Sequence, residues 1–174
     1  MRPVATLFTR ADYERLPEGF PAQLIHGWLV RDPAPTYGHQ SLQMELAVQL
    51  YQLVERGRVV MAPSDVGIDD YNVFQPDILV LRSQPKRTAR DVGIPLVAIE
   101  ILSPSTAKRD RGVKRRRLLA AGAAEVWIVD PDTKTVERYD ARGCFKATGA
   151  EAVASNAVAG FTVVPAQLFA LLEE

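Results

Sequence analysis

Two apolar runs of strand length, each interrupted by a single carboxylate, constrain this chain more than anything else in it. The first is Gln75-Pro76-Asp77-Ile78-Leu79-Val80-Leu81 and the second Leu96-Val97-Ala98-Ile99-Glu100-Ile101-Leu102. Asp and Glu are depleted in strands and are almost never fully buried without a partner. If the runs pair antiparallel with Leu81 opposite Leu96, Asp77 falls opposite Glu100, because every opposed pair then sums to 177. Directly opposed residues project from one face with Cβ atoms about 4.5–5.5 Å apart. Carboxylates that close must share a proton, a base or a cation. An oxygen-seeking divalent ion such as Mg²⁺ meets the need, since it accepts one or two carboxylates together with waters and phosphate oxygens. The joining segment, residues 82–95, is too long for turn geometry to set the register. A second reading therefore stays open, in which Asp77 only starts a strand and Glu100 answers a nearby arginine.

Beyond Ser103-Pro104-Ser105-Thr106 lies a basic run, Ala107 to Arg117, in which seven of eleven residues are Lys or Arg. The periodicity predicts a helix from about Arg109 to Ala121, stopping at Gly122. On it Lys114 shares a face with Leu118 and Ala121. Its ammonium either leans toward the sheet, where it could position a water or stabilise phosphate charge, or snorkels with its stem covering the core. Asp110, four residues earlier, is placed for an ordinary helix ion pair with it. Lys108, Arg109, Arg111, Arg115, Arg116 and Arg117 either grip a nucleic-acid backbone, for which guanidinium forks are suited, or form a solvated helix face.

Composition narrows the function classes. With 21 basic and 21 acidic residues, the chain has no global attraction for nucleic acid, so any such contact must be local. No apolar run reaches the roughly 18–20 residues needed to cross a bilayer, and Met1 to Phe8 is too short to read as a signal peptide. One cysteine, Cys144, excludes an internal disulfide framework and a Cys-rich zinc site, and points to a reducing cytoplasm. Gly-rich phosphate loops, G-x-S-x-G and GxGxxG are absent, which argues against NTPases, serine hydrolases and dinucleotide enzymes.

Along the chain, Thr9 is placed to cap a short helix over residues 9–16, and Ala22–Ile25 and Trp28–Arg31 read as a hairpin about His26-Gly27. Leu42, Leu46, Leu50 and Leu53 predict a helix from about Tyr37 to Glu55. Strands are expected at Val59–Ala62, Val66–Ile68, Glu125–Val129 and Thr135–Tyr139, with a closing helix from Pro165 to Leu172. The tail before that helix alternates only weakly. The whole predicts one domain over residues 1–174, of α/β or α+β class with a mixed sheet.

The order of motifs resembles the Uma-two family of restriction endonucleases, a branch of the PD-(D/E)XK nuclease superfamily. Leu24-Ile25-x-Gly27, His39, Gln75-Pro76-Asp77 and Glu100-Ile101-Leu102-Ser103-Pro104-Ser105-Thr106 carry it. So do Asp110-x-x-x-Lys114 and Gly122-x-x-Glu125-x-Trp127-x-x-Asp130-Pro131, over roughly residues 20 to 140. The resemblance implies a restriction-endonuclease-like core, a central mixed β-sheet flanked by helices. It implies a Mg²⁺- or Mn²⁺-dependent endonuclease acting on DNA as a homodimer, with Asp77, Glu100 and the Ile101 carbonyl on the metal and Lys114 as catalytic lysine. Gln23 and His39 would stand behind the ligands, and Lys108, Arg109, Arg111 and Arg115 would hold the DNA backbone. The chain departs from the pattern in three places. Leu102 stands where the superfamily lysine is expected, so Lys114 would be a migrated lysine; Gln23 replaces a glutamate; and Leu118 replaces a tyrosine. Two rivals follow from these departures and from the chemistry: a degenerate binding module that keeps the fold without turnover, and a metal-dependent hydrolase of another phosphate ester.

Overall fold

The computed structural model describes residues 7–173, so the reading of the first six residues lies outside it. Its centre is a six-stranded mixed sheet in the order β10-β9-β8-β7-β6-β3. These strands are β3 (Val59–Met61), β6 (Ile78–Val80), β7 (Val97–Ile101), β8 (Glu125–Asp130), β9 (Thr135–Asp140) and β10 (Gly143–Thr148). A four-stranded sheet, β2-β1-β5-β4, is built from β1 (Gln23–Ile25), β2 (Trp28–Val30), β4 (Val66–Asp69) and β5 (Asn72–Phe74). A two-stranded ladder, β11 (Val153–Ala154) with β12 (Thr162–Val163), completes the β-structure among the described residues.

The register of the central pair is the one that the sequence allows: Ile78 faces Ile99, Leu79 faces Ala98 and Val80 faces Val97, in antiparallel pairing. β7 then runs parallel to β8, which makes the sheet mixed. Period-two alternation gives each central strand two apolar faces. Ile78, Val80, Val97, Ile99 and Ile101 pack with Leu42, Leu46 and Leu50 of α2 (Tyr37–Leu53), and with Phe169 of α5 (Pro165–Phe169). Trp127 stacks at a tilt on Phe161, ring centroids 5.0 Å apart, in the same layer. On the other face Leu79, Leu81, Ala98 and Leu102 pack with Leu118, and with Ile25, Val66 and Phe74 of the smaller sheet.

Local signals placed most elements. Thr9 caps α1 (Arg10–Glu14) through a reciprocal pair with Asp12. His26 and Gly27, at φ of 51° and 78°, make the two-residue turn of the first hairpin. Its backbone is held by Asn72, whose Oδ1 accepts from His26 N at 3.0 Å. The basic helix is continuous over 107–120 but changes winding: α3 (Ala107–Arg109) passes into a π-helical turn, Asp110–Lys114, and then into α4 (Arg115–Ala120). Four strands escaped the sequence reading. β5 is a three-residue strand following Asp69-Asp70-Tyr71, β10 is exposed at five of its six positions and so carries little apolar periodicity, and β11 and β12 are only two residues each.

Candidate active site

Because β6 and β7 pair in that register, Asp77 ends up across from Glu100, and both line one cavity of about 890 Å³. His39, Gln43, Ile101, Arg109, Asp110 and Lys114 line it too. Asp77 sits one residue ahead of its strand, where its carboxylate folds back onto the neighbouring ladder: Ile101 N donates to Oδ2 at 2.7 Å. His39, in the first turn of α2, reaches the same place. Its Nε2 is 3.3 Å from Asp77 Oδ2 and 3.1 Å from the Ile101 carbonyl. Both neighbours are acceptors, so Nε2 carries the proton and donates, while Nδ1 is buried without a partner. Burial works against a charged ring here, but Asp77 and the carbonyl outweigh it and hold the His39 pKa above its usual value. One helical turn on, Gln43 Nε2 donates to the Asp77 carbonyl at 2.7 Å.

Glu100 projects to the opposite side of its strand from Ile99 and Ile101, into the layer containing Leu118. Lys114 comes down from the π-helical turn and places Nζ 2.7 Å from Glu100 Oε1, with Asp110 Oδ1 at 3.4 Å. All three are closed off from solvent, with relative exposures of 2% for Glu100, 3% for Asp110 and 1% for Lys114. Lys114 therefore leans onto the sheet and does not snorkel. A π-helical turn often marks a functional site, because the wider winding re-aims side chains. Burial drives the Glu100 carboxyl well above its ordinary range; Lys114 opposes this, and the charges of Asp110 and Asp77 add to it. For Lys114 burial lowers the pKa, but Glu100, Asp110 and Asp77 together raise it, and the ammonium is retained.

The remaining expected site residues are placed as follows. Gln23 lines the cavity, but its amide is spent on structure: Oε1 accepts from Gln75 N at 2.8 Å and Nε2 donates to Asp32 at 2.7 Å. Arg109 lines the cavity and pairs with Asp32 at 2.8 Å, and with Asp110 at 3.3 Å. Arg111 is held by Asp130 at 2.6 Å and Glu137 at 2.5 Å, and Arg115 lies over the Tyr139 ring at 4.1 Å. Lys108 is exposed. The sequence reading missed Gln43 and gave Asp110 only a helix-surface pairing. The signal for Gln43 was its spacing of four residues from His39, which puts both on one helix face.

An all-oxygen donor set of Asp77, Glu100 and the Ile101 carbonyl suits a hard divalent cation. Glu100 Oε1 is buried with the Lys114 ammonium 2.7 Å away, and a carboxylate oxygen has more than one lone pair, so it retains acceptor capacity. Among the described residues, no three His, Cys, Asp or Glu side chains gather as a metal-binding group. The donor set is compatible with Mg²⁺, which binds through one or two carboxylates and keeps several waters.

The mixed sheet with its helical flanks makes this an α+β protein with carboxylates at one cavity. The same architecture occurs in the crystal structure of a putative nuclease from Anabaena variabilis, with a TM-score of 0.81 and 22% identity, over 95% of this chain and 99% of that one. The chain belongs to the Uma2 family, described as "Putative restriction endonuclease", whose sequence pattern matches residues 10–162. No curated protein matches it. No described helix is long and apolar enough to cross a membrane.

Proposed function

We propose that the chain is a single nuclease domain over residues 1–174 that hydrolyses phosphodiester bonds in DNA with Mg²⁺ or Mn²⁺, as a cytoplasmic homodimer. The observation that carries this reading is the meeting of Asp77 and Glu100 at one cavity, with Lys114 Nζ 2.7 Å from Glu100. Asp77, Glu100 and the Ile101 carbonyl would hold the ion, which when bound polarises a phosphoryl oxygen and lowers the pKa of an attacking water. The Ile101 N–H and His39 fix the Asp77 carboxylate, and Gln43 fixes its backbone, so the acid is held in place before anything binds. Lys114 supplies a positive charge beside the place where negative charge develops on the phosphate. Arg109 at the cavity and the exposed Lys108 next to it are the best placed of the four basic residues to touch the DNA backbone. Arg109 would first have to leave Asp32 and Asp110, and Arg111 and Arg115 would have to leave Asp130, Glu137 and Tyr139. Pairing of two copies is supported by α2, which is apolar on its outer face as well as its inner one.

A second reading, a binding module without turnover, draws on Gln23, whose committed amide offers no ligand where a glutamate would stand. Plasmid cleavage in Mg²⁺ or Mn²⁺ separates the readings, with Asp77→Ala and Glu100→Gln as controls. The nuclease reading expects cleavage by the native chain, and a loss of about a hundredfold or more in each variant. Cleavage that survives both substitutions would belong to a contaminant. DNA retention without cleavage favours the binding module, and turnover of a small phosphate ester without DNA affinity favours a different hydrolase.

A further inference from the structure

One of the two acids of this site, Glu100, is already paired with a cation of its own chain. Lys114 Nζ is 2.7 Å from Glu100 Oε1, so the ammonium stands beside a carboxylate that a divalent cation would need. Two like charges crowded onto one buried carboxylate repel strongly, because the surroundings screen them poorly. A second carboxylate lies within reach: Asp110 Oδ1 is 3.4 Å from the same Nζ, on the same helix, and equally buried. Nothing in an ordinary surface ion pair calls for that burial. Asp110 and Lys114 are the first and last residues of the π-helical turn, so one winding turns both side chains inward, where they meet. A lysine stem has enough rotamer freedom to move its ammonium from one oxygen to the other without moving the backbone.

We propose that Lys114 is a resident counter-ion which a divalent cation displaces from Glu100, and that Asp110 is the positioning residue that receives it. This rests on the reading of Asp77 and Glu100 as the cation's carboxylates. In the cation-free protein Lys114 holds Glu100. With the cation bound, Lys114 turns toward Asp110 and its remaining donors face the cavity, where a phosphate oxygen or a water can take them. Asp110 thus controls how readily Glu100 becomes available, although it is not itself a ligand.

The test is a double-mutant cycle on Mn²⁺ affinity, measured by titration followed by the electron paramagnetic resonance of free Mn²⁺, with no DNA present. Asp110→Asn should weaken Mn²⁺ binding by about tenfold or more in the native background, the scale expected for a residue that orients a metal ligand. Lys114→Met removes the competitor and should tighten binding; with it in place, Asp110→Asn should have little further effect. Asp110→Glu should restore part of the native affinity. If Asp110→Asn costs the same with and without Lys114, Asp110 acts only as a nearby charge, and the proposal is overturned. It is equally overturned if Asp110→Asn changes nothing. Should the native chain bind no Mn²⁺, the assignment of Asp77 and Glu100 fails, and this inference goes with it. Where Lys114→Met does not fold, carbon-labelled lysine NMR of the native chain and Asp110→Asn replaces that arm. Mg²⁺ should then shift the Lys114 ε-carbon signal at about tenfold lower concentration in the native chain than in Asp110→Asn, and equal midpoints in both would overturn the proposal.

Discussion

Lys114 and Glu100 meet at 2.7 Å in the wall of the cavity, both almost wholly buried. Removing one partner of such a pair leaves an uncompensated buried charge. Lys114→Met should therefore cost about 3–5 kcal/mol in urea unfolding of the metal-free protein near pH 8. The cost should shrink toward pH 5. Burial and the neighbouring acids already hold the Glu100 pKa high, and without Lys114 it would rise further. An acid whose folded pKa lies above its unfolded value destabilises the fold as pH rises between the two, and protonation below that window relieves the loss. Pairing Lys114→Met with Glu100→Gln should recover part of the stability at pH 8, since both charges of the pair are gone and Asp110 keeps Arg109. A Lys114→Met loss that is independent of pH would contradict the assignment of the pair.

Asp77 is gripped from α2 at two points, His39 on its carboxylate and Gln43 on its carbonyl. Groups that orient a metal ligand commonly contribute ten- to a hundredfold to activity or affinity. His39→Ala should lower cleavage by about that factor. His39→Gln, which retains a donor, should keep more of the activity than the alanine variant. Gln43→Ala should have a smaller effect, because the Asp77 carbonyl also accepts from Ala62 N at 3.0 Å. Equal rates in all three variants would remove His39 from the site.

The central pair was legible in the sequence because two runs of similar length around two acids allow a register that opposes them, and that register is found. The helices expected at about 37–55 and 109–121 are found at 37–53 and 107–120, and the hairpin turn followed from His26-Gly27. The surroundings of the basic helix were not legible. Arg109 meets Asp32, and Arg111 meets Asp130 and Glu137, partners that lie far along the chain and that no local pattern connects. The π-helical turn was hidden as well, because a shift in winding over five residues leaves the spacing of Lys114 and Leu118 unchanged.

Those distant partners give the fold an acid limit. Burial alone would raise the Glu137 carboxyl, but Tyr139, Arg111 and Lys146 together bring it below its usual value. Asp130 is likewise lowered, with the Thr133 N–H and Arg111 outweighing burial. A depressed carboxylate contributes stability that is present above its unfolded pKa, about 4, and is lost as pH falls through the folded value. The native chain should thus lose stability below about pH 4. Arg111→Met should cost about 1–3 kcal/mol at pH 7 and flatten the dependence on acid. Denaturant unfolding at a series of pH values reads both effects, and an unchanged acid slope in the variant would dismiss Arg111 as their source.

The outer face of α2 is the remaining feature that a free monomer would not need. Tyr37 is 87% exposed, Met44 54% and Tyr51 52%, while Leu42, Leu46 and Leu50 on the opposite face are buried. Positions 37, 44 and 51 recur every seven residues and Val48 lies beside them, so they form one stripe along the helix. Glu45 is the single charged residue between Tyr37 and Leu53, so two copies of the helix would meet with little charge repulsion. In an antiparallel two-fold arrangement centred on Met44, Tyr37 of each copy would lie opposite Tyr51 of the other, a self-complementary pattern of the kind a two-fold interface requires. The native chain should therefore run as a dimer in size-exclusion chromatography with light scattering at micromolar concentration. Met44→Glu and Tyr51→Glu should each give monomers, with the melting temperature falling as the dimer is lost. A native chain that is monomeric throughout would leave this stripe unpaired and the homodimer without support. Dimers that persist in both variants would place the contact elsewhere, with the exposed edge of β3 as the next surface to alter.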